Sequence, residues 1–516
     1  MDFQPTAAVI GAGMGGLCVG VKLKQAGLDK FTLYDKAPRV GGTWHYNTYP
    51  GCVCDTPAQL YSYSFEPSAD WVGHYPRGDE LQVYCERVAE KYELEPHLQL
   101  GAELRSAAWE TDRNKWRLSF ASGPVAEVDV LVFSVGQLHI PAFPKIEGRS
   151  SFAGESFHSS RWRHDLPLRG KRVGVIGAGA SAVQFVPTLV REAKHVAVFQ
   201  RSASYVLPRE ERTVPGIDKF AMRLLRWPMK YARKRTFSWA EWMLGGALEA
   251  KDWRARYFTE LAGEHLARQV RSPTLRAKLT PNYPFGCKRV LYSNDYYPAL
   301  NAHNCALVTD EIERIIPEGA VTRGGTIHKL DVIIYATGFE AATFPWAQSI
   351  FGKAGMPLSE AWKEGAEAYH GIAVAGFPNF YMTYGPNTNL PHNSVTYMLE
   401  RQAEYILQCV RMMETDNVGH VEVRRVAQSE YNKSLAASLA DSVWAGPCSS
   451  WYKTPTGRIT TNWPGETELY GRLTREPVFD DFELHPRLPT DRTQKPEPVF
   501  VPASETEPKG LQKWLD

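Results

Sequence analysis

The strongest constraint on this chain is a local pattern that occurs twice. T-A-A-V-I-G-A-G-M-G-G-L-C-V-G-V-K-L (6–23) reads as an apolar strand, a glycine turn and an amphipathic helix, with Gly11, Gly13 and Gly16 in G-x-G-x-x-G spacing. R-V-G-V-I-G-A-G-A-S-A-V-Q-F-V-P (172–187) repeats it with Gly177, Gly179 and Ala182. Without Cβ atoms the turn is tight and a pyrophosphate can approach the backbone, while the helix start offers N–H groups and partial positive charge. Ser181 lies in that first helical turn and counts among the binding residues of the second loop. A glycine loop alone is weak evidence. A strand before it and a helix after it make it strong. The expected fold is α/β, with two Rossmann-like dinucleotide-binding domains.

The two units differ at one slot. The strand after the first loop, F-T-L-Y-D, ends at Asp35, which is 24 residues beyond Gly11; in the second unit H-V-A-V-F-Q-R-S brings Arg201 to the same distance from Gly177, followed by Ser202. A carboxylate there accepts hydrogen bonds from ribose hydroxyls and repels a 2′-phosphate, whereas a guanidinium binds that phosphate. The first loop is therefore expected to hold FAD and the second NADPH. The bland alternative for Arg201 is a solvated charge at a strand end.

Bulk composition narrows the rest. With 516 residues the chain can build several domains, each with its own core. A net charge of +2, from 59 basic and 57 acidic residues, gives no electrostatic sign of a nucleic-acid partner. No run of about 18 apolar residues occurs, so integral membrane association is not expected. The chain enters its first strand almost at once, which argues against a signal peptide. Eight cysteines are scattered without any C-x-x-C, and Cys52 and Cys54 are too close for an easy bridge, so a reducing cytoplasm is expected. His45, His139, His370 and His392 lack ligand spacing, and no metal is expected.

Beyond Asp35 comes G-G-T-W-H-Y-N-T-Y-P-G-C-V-C-D (41–55), where Gly41 and Gly42 allow close backbone approach and Trp44 offers a plane to a flat ring, with Thr43 between them counted among the cofactor-binding residues. V-D-V-L-V-F-S-V-G-Q-L-H-I-P (128–141) and L-D-V-I-I-Y-A-T-G-F (330–339) each read as the last strand of a nucleotide unit and a crossing point between domains. Between the units lies F-A-G-E-S-F-H-S-S-R-W-R (152–163). That segment matches the F-x-G-x-x-x-H-x-x-x-W fingerprint of class B flavoprotein monooxygenases, and its tryptophan ending resembles the type I Baeyer–Villiger monooxygenases. G-G-T-W-x-x-x-x-Y-P-G-x-x-x-D and Y-A-T-G-F resemble two further signatures of that family, and the likeness spans roughly residues 6–465. Arg163 departs from it, since the family has Pro or Asp there, and altered hinge behaviour is the expected consequence.

The resemblance implies roles. Phe152, Gly154, His158 and Trp162 would hold the hinge between the nucleotide domains, with His158 in a structural hydrogen-bonding role ahead of an acid–base one. In F-G-C-K-R-V-L-Y-S-N (285–294), Lys288 would help bind the 2′-phosphate and Arg289 would be the active-site arginine, positioned by Asp55. The chemistry implied is attack of a flavin C4a-peroxide on a ketone carbonyl, followed by rearrangement of the Criegee adduct to an ester or lactone. A permanent cation favours the anionic peroxide and the adduct. As a bare dipeptide, Lys288-Arg289 could equally be a surface pair. Asn387, in the G-P-N-x-N loop, would face the flavin, and Trp451 would contact the nicotinamide nucleotide. The C-terminal motifs stand nearest the 4-hydroxyacetophenone monooxygenase branch.

The expected organisation is residues 1–144 and 340–475 as two parts of the FAD domain, 145–207 and 286–339 as two parts of the NADPH domain, 208–285 as a helical insertion and 476–516 as an extended tail. The insertion contains R-W-P-M-K-Y-A-R-K-R (226–235), a basic, aromatic stretch of the kind that can touch membranes or nucleic acid; with a near-neutral chain overall, a solvated helix face is the preferred reading. A small ketone and O2 are the expected partners of a monomer or homodimer. Oxygenation at sulfur or nitrogen, a disulfide-type reductase and a non-catalytic flavin sensor are the alternatives. The missing C-x-x-C counts against the reductase, and joint retention of Asp55, Lys288 and Arg289 against the sensor.

Overall fold

The computed structural model describes residues 3–211, 225–249, 251–415, 417–448 and 450–488. Two five-stranded parallel sheets organise it. The first contains β1 (Ala7–Ile10), β2 (Phe31–Asp35), β3 (Leu98–Leu100) and β4 (Val130–Phe133). The second contains β5 (Glu155–His158), β6 (Arg172–Ile176), β7 (His195–Phe199), β8 (Cys305–Val308) and β9 (Val332–Tyr335). The chain then returns to the first sheet as β10 (Phe380–Met382), so the orders are β10-β4-β1-β2-β3 and β8-β7-β6-β9-β5. Strands β1, β4 and β9 are buried at every residue, as continuous Val/Ile/Leu/Ala runs are when helices cover both faces of a parallel sheet. Helix α1 (Met14–Gln25) follows β1, and α2 (Ala180–Glu192) follows β6. Each unit also makes an antiparallel excursion before its last strand, over residues 104–128 in the first and 312–329 in the second.

The two crossings between the sheets lie side by side. Ala142 donates from its backbone N–H to the Gly338 carbonyl at 2.8 Å, Glu340 donates to Ile140 at 2.9 Å, and Pro141 and Phe339 form an antiparallel bridge. The outgoing V-G-Q-L-H-I-P and the returning Y-A-T-G-F-E therefore brace one another.

Residues 208–285 are largely helical where described, with α3 (Arg226–Trp239), α4 (Trp253–Gln269) and α5 (Pro273–Leu279). Helix α6 (Val395–Thr415) packs along α1. The expected tail begins differently. Phe482–Pro486 is a strand, antiparallel to Val418–Val423, and Phe482 is buried in the first core. An aromatic residue in a proline-rich stretch finds an apolar site that local composition does not reveal. The remainder of that tail, from residue 489, lies outside the described residues. Among the described residues no helix is long and apolar enough to cross a membrane.

Candidate active site

The first glycine loop is shaped by contact with itself and with the G-G-T-W segment. A Cβ on Gly11, whose φ is +105°, would stand 2.5 Å from the Ser134 carbonyl oxygen, and one on Gly16 would collide with the Gly11 carbonyl. Gly41 donates to the Ala12 carbonyl at 3.0 Å, and a Cβ on Gly42 would come within 2.9 Å of the Gly13 Cα. Thr43 then opens a single helical turn with its side chain exposed, and Trp44 is buried, edge-on to Tyr61. Asp35 accepts from the Ala12 N–H at 2.7 Å and from the Ala37 N–H at 2.8 Å, so it props the loop that it was expected to serve and keeps further lone pairs for a ribose. In the second loop a Cβ on Gly177 would meet the Ala336 carbonyl, whereas one on Gly179 would meet nothing within 4 Å. Open space over the start of α2 is what an approaching phosphate requires. Ser181 is half-buried in that turn, and Ala182 is fully buried beneath it.

Arg201, Ser202 and Lys288 come together although 86 residues separate the last two. Lys288 Nζ donates to Ser202 Oγ at 2.8 Å and lies 4.6 Å from the Tyr283 ring centre. Burial, and then the charge of Arg201, lower the Lys288 pKa. Neither cation pairs with a carboxylate among the described residues. A cavity of about 290 Å³ adjoins them, lined by Asn282, Tyr283, Pro284, Lys288, Pro447 and Cys448. Two neighbouring cations without an acid fit an anionic group such as a 2′-phosphate.

Asp55 and Arg289 form a bidentate pair, with Arg289 Nε donating to Oδ2 at 2.8 Å and Nη2 to Oδ1 at 2.5 Å. The charge of Asp55 holds the arginine pKa above its ordinary value against the opposing cost of burial, so the group is a permanent cation. Protein surrounds the pair, yet 37% of the arginine side chain remains accessible against 17% for Asp55. Tyr75, Tyr292, Tyr384 and Tyr452 lie within electrostatic reach of the pair. Burial pushes all four phenols up, Tyr75 and Tyr384 to about 12, so they are neutral donors at any working pH. The sequence reading missed these tyrosines. Their one signal is adjacency, since Tyr292 follows Arg289 by three residues and Tyr452 follows Trp451. Trp451 is half-buried against the Tyr452 ring at 4.5 Å. Asn387 donates its amide N–H groups to the Ile459 and Asn462 carbonyls at 3.0 and 3.1 Å, which latches the G-P-N-x-N loop to the C-terminal segment.

The connector is a strand and not a linker: β5 is the edge of the second sheet, paired to β9. A Cβ on Gly154 would strike the Asp331 carbonyl and, at 2.8 Å, the Phe152 ring. His158 is buried; its Nε2 lies 3.0 Å from the Gly338 carbonyl and its Nδ1 accepts from the Ser160 N–H at 3.2 Å. Burial lowers its pKa to about 4. A neutral ring tying the connector to the returning crossing supports the structural role. Trp162 packs against Phe157, Phe185 and Tyr49, and Tyr49 donates to Gln184 at 2.9 Å, which joins the 41–55 segment to α2. Arg163 lies outside this packing, exposed and paired with Asp165 at 2.7 Å.

The cysteines need a correction. Cys287 and Cys448, 161 residues apart, are joined as a disulfide that ties the Lys288-Arg289 segment to the C-terminal loop. Spacing rules detect local pairs only, and this pair exists through the fold. The other six cysteines are free. Spacing likewise hid the grouping of His420, Glu422 and His485. Their imidazoles are stacked at 4.2 Å with 15° between planes, so the ring lone pairs do not converge, and Lys353 already neutralises Glu422.

Two nucleotide loops, a cationic subsite beside one of them and a buried Arg–Asp pair define a two-nucleotide enzyme of the α/β class. Residues 9–73 match the NAD(P)-binding Rossmann-like domain. The chain is 38% identical over 495 residues to a Baeyer–Villiger monooxygenase of Pseudomonas aeruginosa, covering 94% of this chain and 93% of the relative. It is 37% identical over 480 residues to one of Streptomyces coelicolor, covering 92% of each. Among solved structures, cyclohexanone monooxygenase from Rhodococcus sp. Phi1 bound to NADP+ superposes with a TM-score of 0.85 at 28% identity, over 94% of this chain and all of that one. OTEMO in complex with FAD and NADP gives 0.84 at 28% identity, with the same coverage. The chain belongs to the Baeyer–Villiger monooxygenase family.

Proposed function

We propose that this chain is an FAD-containing, NADPH- and O2-dependent monooxygenase that converts a ketone to an ester or lactone. The carrying observation is Arg289, a permanent cation fixed by a bidentate pair with Asp55 while 37% of its side chain stays accessible. FAD, once reduced by NADPH, supplies the activated oxygen. The first loop with Asp35, Gly42, Thr43 and Trp44 would hold FAD, and the second loop with Arg201, Ser202 and Lys288 would hold NADPH. Asp55 occupies Nε and one Nη2 N–H, so the Nη1 amino group and the other Nη2 N–H would be the donors for a reacting oxygen on bound flavin. There they favour the negatively charged form and stabilise the charge that develops on the former carbonyl oxygen. Buried Tyr452 and half-buried Tyr75, Tyr292 and Tyr384 would help to keep water from the site, Tyr384 donating its one O–H to Asn389 Oδ1 at 2.5 Å.

The domain division at residues 144, 207, 285, 339 and 475 belongs to the same proposal, supported by the alternation of the two sheets along the chain. So does a cytoplasmic location, with six of the eight cysteines free in its favour and the Cys287–Cys448 bridge against it. The test is product analysis with a panel of cyclic and aryl ketones, with thioanisole beside them, under NADPH and isotopically labelled O2. Labelled ester is expected. Sulfoxide with no ester from any ketone would move the assignment to sulfur oxygenation.

A further inference from the structure

Helix α3 has one anchored face and one without a partner among the described residues. Its sequence, R-W-P-M-K-Y-A-R-K-R-T-F-S-W, contains no acidic residue. Inward, Arg233 donates to the Gln59 and Ser62 carbonyls at 2.7 Å each, the Phe237 ring meets Tyr397 at 5.5 Å, and Asn393 donates to the Phe237 carbonyl. Outward, Trp227 and Tyr231 stand four residues apart, Trp239 follows eight further on, and Trp242 continues the stripe one turn past the helix end. These four rings are 51% to 67% exposed, and Trp253 stands edge-on to Trp242 at 6.4 Å. Lys230, Lys234 and Arg235 are exposed between them, and no carboxylate among the described residues pairs with any of the three.

We propose that this face docks the protein onto an anionic lipid bilayer, at its surface and without crossing it. Indole and phenol rings settle at the headgroup boundary, where the ring is shielded and the N–H or O–H stays wet. Lysines and arginines on the same face are drawn to anionic headgroups. A second copy of the chain fits less well, because a two-fold axis would set these cations against their own images. Single-stranded nucleic acid would require a groove that tracks its backbone, whereas these side chains stand out from the surface. The contact is braced from within, since the helix rests on the segment containing Asn393, close in sequence to Tyr384 beside Arg289. The inference does not depend on the reaction assigned above.

The experiment is co-sedimentation of the purified full-length holoprotein with phosphatidylcholine–phosphatidylglycerol vesicles, against phosphatidylcholine alone. Two variants accompany it, Trp227→Ser/Trp242→Ser and Lys230→Gln/Lys234→Gln/Arg235→Gln, all at exposed positions outside the two glycine loops. Wild type is expected to sediment with the anionic vesicles, less so at high salt. The triple variant should lose roughly 100-fold in partitioning and the double variant a comparable amount, with NADPH oxidation unchanged in both. Wild type remaining in the supernatant, or variants sedimenting as wild type does, would overturn the proposal. So would an oligomeric state that the same substitutions abolish while vesicles are ignored, or stronger retention by a single-stranded oligonucleotide than by vesicles.

Discussion

Removal of the Arg201 guanidinium is expected to separate the two nicotinamide coenzymes. Arg201 sits close enough to Lys288 to disfavour its charge, and neither has an acidic partner among the described residues. A 2′-phosphate relieves that repulsion and accepts from both. Charge-assisted hydrogen bonds contribute about 1.5–3 kcal/mol each, so Arg201→Ala should lower kcat/KM for NADPH by about 10- to 150-fold. NADH lacks the phosphate, and its kcat/KM should change little or improve slightly. Lys288 holds one donor on Ser202 and aims the rest at the same subsite, so Lys288→Ala should act in the same direction. The double variant should lose more than the product of the single losses, because in Arg201→Ala the charge of Lys288, no longer disfavoured by its neighbour, offsets part of the loss. Steady-state oxidation of both coenzymes by the three variants gives the answer. An equal fall with NADPH and NADH would refute the subsite, since the loss would then come from a damaged fold or from chemistry common to both.

Three further outcomes follow from the geometry. The Lys288 pKa is lowered by burial and Arg201, so kcat/KM for NADPH should fall as pH rises, beginning below the ordinary lysine value of about 10.4; Lys288→Arg should move that limb upward, and an unmoved limb would detach it from Lys288. His158 has a pKa of about 4 in the folded protein against about 6.5 unfolded, so its stabilisation is complete above that higher value and is lost as pH falls through the lower one, by about 3 kcal/mol in all. Urea unfolding of His158→Gln should show a shallower acid decline than wild type, and matching declines would contradict the assignment. Gly42→Ala places a Cβ 2.9 Å from the Gly13 Cα at a φ of +56°, so purified variant should contain little FAD; full flavin content would show that the G-G-T-W segment does not shape the first loop.

Much of the architecture was legible because the chain writes it locally. The glycine loops, the apolar strands before them and the contrast between Asp35 and Arg201 are all contained in short windows, and each was found where expected. The pairing of Asp55 with Arg289 was legible only through family likeness, since 234 residues separate them. What escaped were features that exist only after folding. The four tyrosines around Arg289 come from four distant segments, and tyrosine also fills ordinary cores. Cys287 and Cys448 follow no spacing rule. The Asn387 latch depends on where residues 459–462 return. The aromatic residues of α3 were read as part of a solvated face, because sequence shows which residues share a helix face but not whether another segment covers it.

The measurement that tests the central claim most directly is the coupling of NADPH oxidation to ester formation in Arg289→Ala. The variant should retain FAD and be reduced by NADPH, because Arg289 takes no part in the contacts of either glycine loop. Ester formed per NADPH should fall by about 100- to 1,000-fold, with the consumed oxygen released as hydrogen peroxide. Ester formation at a near-wild-type rate, with coupling intact, would contradict the claim that this guanidinium sustains the negative charge on the reacting oxygen.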